Sequence, residues 1–125
     1  MIYAIRCSGS SHIKFGKAKN PKRRLDMLQT GNPSQLQLIA WADWPDSEEW
    51  RIHQFLEQDW VRGEWFARSA LANRVIELLR DGEAGLEVWK NMRGVRARSP
   101  YAPDYTNSRL AKVIQFAHEQ RTNSA

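Results

Sequence analysis

Residues 1–24 hold seven Lys or Arg and no acid: Arg6, Lys14, Lys17, Lys19, Lys22, Arg23 and Arg24. A zone of one positive sign suits a polyanion, and nucleic acid is the commonest one. Other residues could add chemistry to such a zone. Tyr3 stands eleven residues before Lys14, and if the strands carrying them pair, phenol and amine can meet on one face. Glu49 and His53 are four apart, which puts them on one face of a helix. Each has a plainer reading. Tyr3 serves as strand packing, and Lys14 and Arg24 as solvated charges. Glu49 closes a capping box with Asp46, His53 packs beside the core, and Glu64 holds the turn at Gly63.

The elements that must position these groups follow from pattern. Ile2 to Cys7 and His12 to Lys17 read as two strands joined by the turn Ser8-Gly9-Ser10-Ser11. Asn20 can cap a helix with Pro21 at its first position, running to the stop at Thr30-Gly31-Asn32-Pro33. Leu36 to Trp44 reads as a third strand. Pro45-Asp46 opens a second helix with Ile52, Phe55 and Leu56 on its apolar stripe. Val61 to Phe66 is a short strand or turn. Ser69 caps a third helix that ends at Asp81-Gly82. The expectation is an α+β fold, with a small three-stranded, mainly antiparallel sheet flanked by helices. It divides into a domain over residues 1–82 and an extension over 83–125. In the extension, Gly85 to Met92 forms a helical turn or two and 94–106 a basic linker with Arg96 and Arg98. Asn107 to Gln120 forms a last helix that packs on the domain or on a second copy.

In order, the residues make a pattern: Ile2-Tyr3, then Lys14-Phe15-Gly16, then Arg24 on the first helix. Glu49-Trp50-Arg51-Ile52-His53 and Gly63-Glu64-Trp65-Phe66 follow. This resembles the GIY-YIG nuclease superfamily over residues 1–80. It looks closest to a short bacterial and phage branch with a Lys-Ile-Gly second signature and a Gly-Glu-Trp-Phe ending. The leading glycine of the first signature is absent, because Met1 precedes Ile2. The resemblance implies cutting of DNA phosphodiester bonds with magnesium, for which manganese can substitute, in phage or mobile-element biology. It implies that Tyr3 is the general base or water-positioning group and Lys14 its partner at the second signature. Gly16 is the close-approach glycine, Arg24 the phosphate contact and Glu49 the metal-binding carboxylate, with His53 and Glu64 at branch positions. A catalytic set of Tyr3, Lys14, Arg24, Glu49 and His53 follows, with Lys17, Lys19, Lys22, Arg23, Arg96 and Arg98 as nucleic-acid track.

Physics is consistent with these roles. An arginine and a metal supply the charge that phosphodiester cleavage needs. Magnesium keeps most of its waters, so one carboxylate can suffice. A phenol with an ordinary pKa of about 10 is a poor base unless a cation favours the phenolate. An alternative from the binding class remains: the same fold, catalytically weak or inactive, acting as a nucleic-acid-binding or interaction module.

Charge and composition bound the rest. Residues 25–89 hold five Arg against twelve acids, and 90–125 hold seven basic residues against two acids, so the net +5 hides two basic zones around an acidic middle. The 125 residues allow one domain with a short appendage, and 42% apolar content allows a packed core. A lone Cys7 excludes an intrachain disulfide framework and a multi-cysteine zinc site. No run approaches the ~20 apolar residues of a membrane span, so a cytoplasmic monomer or homodimer is expected, with DNA as partner and RNA not excluded. Five of the six tryptophans fall within residues 41–65; most suit burial, and Trp44 and Trp50 are the ones expected at the surface.

Overall fold

The computed structural model describes residues 1–98, and the helix expected at 107–120 lies outside them. The chain opens with a hairpin of β1 (Ile2–Cys7) and β2 (His12–Lys17), turned at Gly9 with φ +79°. The pair is antiparallel, with Tyr3 opposite Gly16 and Ile5 opposite Lys14. β3 (Leu36–Ala42) pairs with the other edge of β1, placing Trp41 opposite Tyr3. The sheet has five strands, not three. Val61 to Phe66 folds into a second, short hairpin of β4 (Trp60–Arg62) and β5 (Trp65–Ala67), giving the order β3-β1-β2-β5-β4. Each of these strands has three residues, too few for alternation to show in sequence. Their pairing rests on the turn at Gly63, whose carbonyl accepts the Trp60 indole N–H at 2.9 Å.

The sheet is buried on both faces. Ile2, Ala4, Ile13 and Phe15 point into the larger core. Alternation sends Tyr3 and Ile5 to the opposite face, against Leu25 and Leu28 of α1 (Pro21–Gln29). Asn20 caps α1 by accepting from the Arg23 amide at 3.1 Å, with Pro21 next to it as expected. The larger core is closed by α2 (Ser47–Phe55), α3 (Ala70–Arg80) and α4 (Gly82–Arg98). Ser69 caps α3 through the Ala72 amide at 3.0 Å.

Three local expectations change. Residues 94–98, read as the start of a linker, continue α4, which also absorbs the short turn expected at Gly85 to Met92. Gly85 does not break the helix: a Cβ there would strike the Leu78 carbonyl of α3, so the glycine lets two helices approach. Trp44 and Trp50 are not the exposed tryptophans. Trp44 leaves the sheet after Ala42, is buried against Trp89 and donates its indole N–H to the Gly82 carbonyl at 2.8 Å; Trp50 packs half-buried on the core. Trp41 is the exposed one, at 45%.

Candidate active site

Tyr3 and Gly16 face each other across β1 and β2, and the Tyr3 ring lies over the Gly16 Cα. A Cβ on Gly16 would fall on the Tyr3 hydroxyl and 2.5 Å from the ring carbon bearing it. The glycine is therefore required by the phenol, not by its own backbone angles: among the described residues its φ is not one of the positive ones. Lys14 stands two residues before Gly16, on the same face. Its ammonium reaches Glu64 Oε2 at 2.8 Å and lies 5.9 Å from the Trp65 ring centre, while the side chains of the ion pair are only 14% and 9% exposed. Glu64 thus does more than hold a turn. Its carboxylate takes Lys14 and its carbonyl accepts the Phe15 amide at 3.2 Å.

β5 pairs with β2 only at His12, Ile13 and Lys14. Past that point the outer edge of β2 is lined by α2. His53, fully buried, places Nε2 at 2.6 Å from the Phe15 carbonyl. A carbonyl only accepts, so this nitrogen carries the proton and donates. With Nε2 so engaged, that nitrogen holds the peptide leading into Gly16 and is not a metal ligand. Glu49 lies one helical turn earlier on the face of His53, buried at 4%. Tyr3 thus packs on Gly16 while His53 holds the carbonyl of Phe15, the residue before it, from the α2 side.

The adjacent Glu48 and Glu49 divide in role. Glu48 accepts four hydrogen bonds: from Arg51 at 2.9 Å, from Trp89 at 2.7 Å and from Arg93 at 3.1 and 3.2 Å. A carboxylate offers about four lone-pair sites, so Glu48 is filled. Sequence reasoning missed it because Trp89 and Arg93 lie 41 and 45 residues away. The capping box that competed for Glu49 is not completed. Asp46 makes no side-chain cap and meets the Met1 amine at 3.4 Å.

No group of three or more His, Cys, Asp and Glu suited to a metal occurs among the described residues. That donor set does not build a closed zinc cage. A single buried carboxylate suits a hard, mostly hydrated cation such as magnesium, completed by substrate phosphate.

Lys22, Arg23 and Arg24 lie on α1, which packs on the Tyr3 face. Arg24 is half-buried on α1, one turn before Leu28, which packs against the Tyr3 cluster. Lys19, Lys22 and Arg23 are exposed and Lys17 is half-buried around the end of β2 and the start of α1. Lys22 holds its ammonium 5.7 Å from the Trp41 ring centre. Arg96 and Arg98 fall on the last turns of α4.

The family model of the T5orf172 domain matches residues 1–83. No curated protein and no solved structure matches the chain.

Proposed function

The chain belongs to the T5orf172 domain family, and on that premise we propose that it is a metal-dependent endonuclease hydrolysing DNA phosphodiester bonds through a GIY-YIG-type site. The domain occurs in phage and mobile-element proteins often linked to nucleases. The observation that carries the reading is the packing of the Tyr3 phenol on Gly16, with Lys14 on the same face. Here the close approach leaves the hydroxyl over bare backbone.

In this reading Tyr3 orients an attacking water and takes its proton, with Lys14 on the same face, its charge matched by Glu64. Arg24 stabilises the charge that develops on the non-bridging oxygens. His53 and Glu64 position the strand and Lys14, and do not touch substrate. Glu49 would hold the magnesium, which supplies Lewis-acid charge when bound. The exposed Lys19, Lys22 and Arg23 follow the flanking phosphates.

The test is supercoiled plasmid incubated with and without magnesium. Nicking that requires the metal is expected, abolished in Glu49→Ala and lowered about 100-fold or more in Tyr3→Phe. Intact metal-dependent nicking by Glu49→Ala would overturn the site. A gel shift without nicking by the unaltered protein would replace the reading with a binding module.

A further inference from the structure

Trp41 is out of place by burial. It is 45% exposed on β3, an edge strand of the sheet, whereas the other tryptophans are buried or half-buried. It lies directly opposite Tyr3, so the two side chains are neighbours on one face, Tyr3 buried at 1% and Trp41 open to solvent. Lys22 stands over the ring at 5.7 Å, and a shallow groove beside it has a floor of Leu25, Leu36 and Leu38. Lys22 and the exposed Asp26 line this groove, and Arg23 is exposed next to Lys22 in the chain. An exposed aromatic face with an apolar floor and a cation beside it, next to a phosphate-handling group, has the make-up of a single-strand platform. There, bases stack on aromatic rings while cations track the backbone.

Resting on the nuclease reading above, we infer that Trp41 stacks an unpaired nucleobase adjoining the phosphate at Tyr3, the Lys22 ammonium leaving the ring for the next phosphate. The substrate class is then single-stranded DNA, or duplex DNA with a locally unpaired base. A base held within an intact duplex cannot lie flat on Trp41, because its faces are covered by its neighbours. Stacking is tolerant of base identity, so the platform selects for strand state and not for sequence.

Binding is measured without cleavage, by anisotropy of labelled oligodeoxynucleotides in calcium or chelator, so that it stands apart from the nicking assay. Three probes are used: a single strand, a perfect duplex and a duplex with one bulged base. Trp41→Ala is expected to weaken the single strand and the bulge about 5- to 100-fold while leaving the perfect duplex unchanged. Trp41→Phe recovers most of the loss. Lys22→Ala lowers the slope of log affinity against log salt by about one on every probe, and Trp41→Ala leaves that slope as it was. On the unaltered protein, an abasic site scanned along the single strand should reproduce the Trp41→Ala loss at one position, a result that does not depend on how the variant folds. Equal loss on all three probes, or none, overturns the platform. So does a change in sedimentation of Trp41→Ala with DNA binding intact, which would make this edge a contact between copies of the chain. Loss of nicking with these binding differences preserved would sink the nuclease reading alone.

Discussion

Gly16 and Tyr3 act as one unit at the residue scale. Gly16→Ala brings a methyl into the phenol, and the overpacking should cost about 1–3 kcal/mol by urea denaturation. Tyr3→Ala opens that space, so the double variant should be less destabilised than the sum of the two single changes. Strict additivity would mean that the two groups do not touch. His53 gives a second prediction. His53→Ala removes the donor to the buried Phe15 carbonyl and should cost about 1–3 kcal/mol for that bond alone, while magnesium titration of any nicking activity keeps its midpoint. A shift in the metal midpoint without loss of stability would make it a ligand. The resemblance picked out Tyr3, Lys14 and Gly16 in sequence, and the alternation of two paired strands allowed Tyr3 and Lys14 one face. It left Glu64 ambiguous because its partner Lys14 is 50 residues away and on a strand pairing too short to read.

Helices were legible at the element scale wherever a cap announced them, as Asn20 and Ser69 did for α1 and α3. α4 was read only as a turn or two from Gly85 to Met92, because 94–106 read as a linker. In the structure Gly85 is a contact point with α3, which yields a prediction of unusual sign. Helix propensity favours Gly85→Ala by about 1 kcal/mol. The clash with the Leu78 carbonyl should reverse this and lower the thermal midpoint, and a raised midpoint would mean the helices separate freely. The Glu48 cluster joins α2 to α4. Glu48→Ala leaves Arg93 and the Trp89 indole without their acceptor, at an expected cost of about 3–5 kcal/mol. In contrast to Glu49→Ala, the loss should register in denaturation before any assay of cleavage. A wild-type denaturation midpoint in Glu48→Ala would show the cluster to be idle.

At the scale of the whole molecule, the acidic middle and basic ends cease to conflict. Five of the twelve acids, Glu48, Glu49, Glu77, Glu83 and Glu87, lie on the helices that close the larger core, and Lys22, Arg23 and Arg24 lie on α1, which packs on the Tyr3 face. Nucleic-acid affinity should therefore fall steeply with salt, and flat binding across a salt series would remove phosphate contacts from the account. Among the described residues no helix is long and apolar enough to cross a membrane. The α+β class was legible because periodicity switches cleanly between strand and helix; the sheet's full width was not, because two strands are defined by their partner and not by their own sequence. Trp89 has one more consequence. It is fully buried, stacked on Trp44 and edge-on to Phe55, yet it lies beyond the 83 residues that the family match covers. A chain trimmed to those 83 residues would expose two aromatic side chains and strip Glu48 of three of its four donors. Recombinant expression should give soluble protein when the chain ends after Arg98 and aggregate when it ends at 83; the length that the family match spans and the self-sufficient length would then be different lengths.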